Sequence, residues 1–386
     1  MHSDRTPAPS PPTRRGVRTA GSRPDRLLER VGGMRMMLVE REVSLHAAAV
    51  LRIGYGTLYF AFLLREFPHR DELWGPEAPW TPDLARQLFD QTSWTSFLTL
   101  SDDPLYFELC YGAALLTSLL FAAGWRTRAT SLLFAFVVTS FHARAIFSTD
   151  GGDNIVLLMA VYLCFTACGR RWSLDARRAC RARGRGTAKG NLSMAPWLCQ
   201  LETARRQVTT LLHNCGMFVI AAQVCIVYGA AGLYKVQGDT WGNGTALHYV
   251  THLDLFQPWP ALSGLASEHL QLLALAGYMA VLLQISFPFV LFGRLKYPVL
   301  VMTLGMHLGI AVLMGLPFFS GAMIIADAVF LPDRFYRAAE AGLHSLRRRT
   351  NTEDAVPPPG KTTSVPAQHL PGTQTPATTD PARTSR

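Results

Sequence analysis

The sequence predicts an all-α fold: a polytopic helical membrane protein with about eight transmembrane spans and disordered cytoplasmic termini. Three observations carry that expectation. Charged residues make up only 17% of the 386 positions and hydrophobic residues 49%, against roughly a quarter charged in soluble domains. Apolar residues gather in long runs, most of them close to the roughly 20 residues a helix needs to cross a bilayer. Basic residues, which give a net charge of +10, crowd into the tails and alternate loops, as they do in oriented membrane proteins.

Taken in order, residues 1–43 are rich in Pro, Ser and Arg and contain no apolar segment of the signal-peptide kind. They read as a disordered basic tail, with a short amphipathic surface helix beginning near Leu27. The membrane domain is expected over 44–335, with apolar runs at 45–64, 105–123, 130–147, 155–167, 211–233, 270–292, 297–314 and 318–331. Arg52 falls inside the first run, where a charge has to face protein or reach the headgroups. Prolines exclude a long helix from 65–104, and Trp74, Trp80 and Trp94 suit an interfacial position there. Residues 336–386 end in a Thr- and Pro-rich stretch without apolar period, a disordered tail.

The loop arginines set an orientation. Arg126 and Arg128, the cluster from Arg170 to Arg206, Arg294 with Lys296, and Arg334 to Arg349 fall on one side with the N-terminal tail. That side is cytoplasmic by the positive-inside rule, so both termini lie inside and the loops 65–104, 148–154 and 234–269 outside. Arg65, Arg70 and Arg86 count against this assignment. The high isoelectric point, near 9.5, does not indicate a nucleic-acid partner, because the arginine clusters are separated by apolar runs of membrane length. Seven cysteines form no repeated spacing and predict neither a disulfide framework nor a metal site.

Three polar groups fall where chemistry is conceivable. Thr149–Asn154, TDGGDN, opens the fourth run; its Asp150, Asp153 and Asn154 suit either a helix N-cap or a functional carboxylate. Tyr234, Lys235, Asp239 and Trp241 follow the fifth run, and Lys235 is the sole lysine between Lys189 and Lys296. An amine at the mouth of an apolar segment can serve as a base when desolvated, or simply mark the membrane boundary by snorkelling. His248 and His252 follow at the i, i+4 spacing of a metal pair, without the glutamate of an HExxH motif. His307 lies within the seventh run, with Asp327, Glu108 and Gln284 as further polar residues in spans; each must face protein or a cavity. No phosphate-binding loop, dinucleotide fingerprint or GxSxG elbow is present.

Three stretches carry a resemblance: TDGGDNIVLLMAVYL with GRRWSLDA (149–176), AAGLYKVQGDTWGNGTALHY (230–249) and QISFPFVLFGRLKYPVLVMTLGMHLG onward (284–331). In this order they resemble the horizontally transferred transmembrane (HTTM) family, over about residues 44–335. Its members include vitamin K-dependent gamma-carboxylases and the bacterial sporulation-delaying protein B, which matures a secreted toxin peptide. The resemblance implies a bacterial cell-membrane protein using menaquinol or vitamin K hydroquinone, with Lys235 as the base that deprotonates the quinol. On that enzymatic reading Asp153 and His307 are supporting groups, and Tyr234 and Trp241, which flank Lys235, are cofactor contacts. A histidine that the carboxylases carry near the start of the fourth span is replaced here by Asp153 and Asn154. A secreted peptide or small molecule is the implied substrate. The alternatives are a non-catalytic membrane factor for maturation or export of a secreted partner and, more weakly supported, a transporter.

Overall fold

The computed structural model describes residues 38–184, 196–291 and 293–353, and all regular structure among them is helical. The expected surface helix from Leu27 and most of the C-terminal tail lie outside the described residues. Each apolar run falls on one helix: α1 Leu45–Glu66, α2 Pro104–Ala123, α3 Thr127–Arg144, α4 Gly151–Cys164, α5 Pro196–Val236, α6 Leu270–Val290, α7 Lys296–Leu313 and α8 Pro317–Asp327. Five segments are long and apolar enough to cross a membrane: Leu45–Trp74, Pro104–Ala123, Pro196–Val236, Leu270–Val290 and Lys296–Leu313. Gly151–Cys164 and Pro317–Phe330 are apolar but shorter. These five spans define a multipass helical membrane protein. Large apolar side chains such as Leu105, Phe218, Phe289 and Val301 remain exposed on the outside of the helices, at 65%, 73%, 78% and 68%, where hydrocarbon would solvate them.

The helices pack in sequence: α1 on α2, α2 on α3, α3 on α4, then α5 on α6, α6 on α7 and α7 on α8. The last helix closes the arrangement by packing on α1 and α4, and α5 touches both α4 and α8. One continuous core results, running from Tyr55 and Leu63 of α1 through Phe134, Met159 and Ile220 to Tyr228, Phe287 and Met323. Two of its tyrosines find partners on the backbone: Tyr55 donates to Ala322 O at 2.8 Å and Tyr111 to Leu63 O at 2.5 Å.

Arg52 is fully buried, as its position within an apolar run requires of a charge kept from lipid. Its guanidinium donates to the carbonyls of Phe121 (2.9 Å), Ala122 (2.5 Å), Cys168 (3.2 Å) and Trp172 (2.8 Å). The first two belong to the C-terminal turn of α2, at the negative end of its dipole; Phe121 O also accepts from Gly124 N at 3.0 Å. Gly124 turns the chain there at φ +71°, and a Cβ would stand 2.6 Å from Arg52 Nη1, so only glycine leaves the guanidinium its place.

The WSLD sequence completes this corner. Asp175 accepts from the backbone N–H groups of Arg126 (3.0 Å) and Thr127 (2.7 Å) and from the Thr127 hydroxyl (2.8 Å), capping α3 from 48 residues away. On the other side of the bundle the segment between α1 and α2 forms short helices, Arg70–Trp74 and Pro82–Thr92, as its prolines require. Arg144, fully buried, donates to Trp80 O (2.6 Å) and Gly75 O (2.7 Å) and fastens this segment over α3. Arg70 pairs with Glu108 at 2.6 Å and Arg86 with Asp102 at 3.0 Å, so Glu108 serves an ion pair.

A helix over Asp333–Glu353 crosses the expected start of the disordered tail at 336. Its RAAEAGLHSLRRR sequence is made of good helix formers, which sustain a helix without an apolar run. The packed unit ends at Arg337 and a second begins at Ala338.

Replacing Arg52 by Leu removes hydrogen bonds to four carbonyls and is expected to lower stability by about 3 kcal/mol or more, read as earlier unfolding of the purified protein in detergent. Lysine at this position restores only part of the loss, since its three donors lack the fork of a guanidinium. Burial works against ionisation of Asp175, but its hydrogen bonds from Thr127 and Arg126 and the nearby Arg178 more than offset it and hold the carboxyl below the usual range. A depressed folded pKa stabilises above the unfolded value and the gain disappears as pH falls through the folded one. Thermal stability should therefore drop as pH is lowered below about 4, and Asp175→Asn should remove that part of the pH profile.

Candidate functional site

A cavity of about 620 Å³ lies among α5, α6, α7, α8 and the loop after α5. Its walls are mainly aliphatic and sulfur-bearing side chains, among them Leu273, Leu283, Met302, Met306 and Met323. Six lining residues bring polar groups to it: Tyr228, Lys235, Trp241, Thr251, Gln284 and His307. A large apolar chamber with few placed polar groups is the usual form of a site for a small, mostly apolar molecule.

Sequence sets this geometry through α5. Tyr228 and Lys235 are seven residues apart, two turns of helix, so both project from one face with about 10 Å of rise between them. Gly232 lies on that face between them and meets α6 closely: a Cβ would come within 2.8 Å of Ile285 Cγ1 and 3.0 Å of its backbone N. The loop following α5 then folds back, tied by the Tyr278 hydroxyl donating to Gly242 O at 3.0 Å. This puts the Trp241 ring 5.2 Å from Lys235 Nζ, a cation–π contact.

Lys235 is half-buried, and its Nζ reaches Ala231 O at 3.5 Å, the outer limit of a hydrogen bond. Among the described residues no carboxylate pairs with it, which leaves the amine free for a ligand oxygen. At the other end of the cavity His307 Nε2 is 2.8 Å from the Tyr228 hydroxyl, which donates to Asp327 Oδ2 at 3.0 Å. All three side chains are buried, at 2%, 2% and 8% exposure, and His307 Nδ1, Asp327 Oδ1 and Gln284 Oε1 have no partner.

Of the residues singled out in the sequence, Lys235, Trp241 and His307 come together around this cavity. Tyr234 does not line it; its side chain is 79% exposed on the outer face of α5. Asp153 lines a second cavity of about 260 Å³ with Tyr59, Arg65, Glu66 and His142. Leu316 and Phe319 line both cavities and stand between them. Asp153 also completes a capping box, in which Asp150 accepts from the N–H of Gly152 (2.5 Å) and Asp153 (3.2 Å) while Asp153 accepts from the N–H of Asp150 (2.8 Å). His248 and His252 lie against one another with ring centroids 4.3 Å apart and planes tilted by 55°, and His252 Nδ1 meets His248 O at 2.7 Å. Tyr228 escaped notice in the sequence because one tyrosine in a long apolar run carries little signal; its two-turn spacing from Lys235 was the available clue.

No protein family, curated protein or solved structure matches this chain.

If α5 and α6 touch as described, Gly232→Ala forces the two helices apart, because the nearest obstacle includes backbone. The expected outcome is a loss of about 1–3 kcal/mol in detergent unfolding, together with a changed Trp241 fluorescence, since its ring packs at the same junction.

Proposed function

We propose that the chain is a membrane enzyme of the HTTM type that consumes a lipid-soluble quinol, menaquinol or vitamin K hydroquinone, in modifying a secreted peptide or small molecule. The cavity between Lys235 and His307 carries this reading. Its apolar walls suit a ring with an isoprenoid chain, and its polar groups sit at two ends about two helical turns apart, where the opposite hydroxyls of a quinol would be met. In this reading Lys235 takes the proton of the outer hydroxyl, Trp241 packs beside the ring, and His307 receives the inner hydroxyl. Asp153, beyond Phe319, faces the modified substrate rather than the quinol.

We read all eight helices α1–α8 as spans, the shorter ones extended by their polar flanks, with both termini cytoplasmic and Lys235 opening to the outside face. The arginines that count against this orientation hold ion pairs: Arg65 with Glu66 at the end of α1, Arg70 with Glu108 of α2, and Arg86 with Asp83 and Asp102 of the loop. A second reading is a non-catalytic factor for maturation or export of a secreted partner. It draws support from Lys235 lying over Trp241 at a helix end, an arrangement that also marks a membrane boundary.

The two readings part on Lys235→Ala. Isolated membranes are supplied with reduced menaquinone and oxygen, which together yield the quinone epoxide and water, and the epoxide is followed by mass spectrometry. Wild type should form it and the folded variant should lose at least about a hundredfold in rate. No epoxide from either protein, with partner maturation unchanged in the variant, would overturn the enzyme reading in favour of the second.

A further inference from the structure

The polar chain at the inner end of the cavity has a direction. Tyr228 has one hydroxyl proton, and it goes to Asp327 Oδ2 at 3.0 Å. With Asp327 ionised and holding that proton, the Tyr228 oxygen accepts from His307 Nε2 at 2.8 Å, the arrangement that puts the ring proton on Nε2 and leaves a lone pair on Nδ1. That Nδ1 is buried without a partner. Nearby on α6, Gln284 directs its amide nitrogen toward Met306 Sδ at 3.9 Å, and its Oε1 is likewise buried and unpartnered. His307 and Gln284 both line the cavity, and both of their unpartnered atoms are acceptors.

We infer that this end of the cavity is a hydroxyl-binding site, in which Tyr228 and Asp327 hold His307 in the tautomer that accepts a ligand O–H, so that the cavity selects the reduced, hydroxyl-bearing form of its ligand over the carbonyl form. Buried acceptors without partners are rare and costly, and an O–H supplied by the ligand gives the His307 nitrogen its donor. A quinone carbonyl at the same place would set lone pair against lone pair. The neighbours that yield to the incoming oxygen are Met306, a flexible side chain, and Phe319, whose ring lies edge-on to His307 at 5.8 Å. Tyr228 and Asp327 are positioning residues here, since neither has to touch the ligand.

The inference rests on the quinol reading of the cavity, and its test separates the two. The full chain is placed in lipid nanodiscs under argon. Three probes of the same short-chain menaquinone are titrated calorimetrically: the quinol, the quinone and the quinol dimethyl ether, which has the shape of the quinol but no O–H. Wild type should bind the quinol roughly tenfold more tightly than either other probe, the worth of one buried hydrogen bond. Tyr228→Phe frees the histidine to take the other tautomer, and should bring the quinol-to-quinone ratio close to one while quinone affinity is retained. Equal binding of all three probes by wild type would overturn the hydroxyl site and leave a quinone-binding cavity standing. Binding of none would overturn the cavity reading and this inference together.

Discussion

A guanidinium that cannot reach water organises the first half of this protein. Among the described residues Arg52 faces no carboxylate at hydrogen-bonding distance; its charge is spread over four carbonyls drawn from the end of α2 and from the turns after α4. These carbonyls lie at helix ends and turns, where backbone acceptors outnumber backbone donors, so the charge and the surplus acceptors resolve one another. The arrangement fixes the depth of α1 relative to α2 and holds the WSLD turn against both. Asp175 of that turn then caps α3, and the relative placement of three helices follows from two side chains.

The second half is built differently. Around the larger cavity the polar groups are few, and several are left incomplete: an amine with one long contact, and an imidazole, an amide and a carboxylate with one atom each unpartnered. Incomplete satisfaction deep in a bundle is unfavourable. Among the described residues, three of the nine buried side-chain atoms without a partner, on Gln284, His307 and Asp327, lie together at one end of the large chamber. The contrast with Arg52 and Arg144, whose guanidinium groups are largely satisfied by backbone, is what distinguishes scaffold from site in this chain.

Much of the fold was legible because the bilayer limits the choices. Each apolar run lies on one helix, the prolines of 65–104 break that segment into short pieces, and the TDGGDN sequence caps α4 as its aspartates indicate. Helix limits were less legible than the apolar runs: α5 begins at Pro196, well before its apolar run, since residues such as Glu202, Arg205 and Arg206 favour helix while announcing nothing about lipid. Asp175 was legible only as part of a motif, because a cap made from 48 residues away leaves no local pattern. The site was legible in Lys235, Trp241 and His307, whose polarity stands out against apolar surroundings. The outward turn of Tyr234 and the separation of Asp153 depend on helix rotation and on the packing of α8, which sequence spacing does not determine.

Leu316 and Phe319 form a partition with a chamber on each side. One ring therefore belongs to two sites at once, and an occupant that turns it on one side reshapes the other. Such an effect is a linkage free energy, and it has no preferred direction: whatever the content of the larger chamber does to affinity in the smaller, the content of the smaller does in equal measure to the larger.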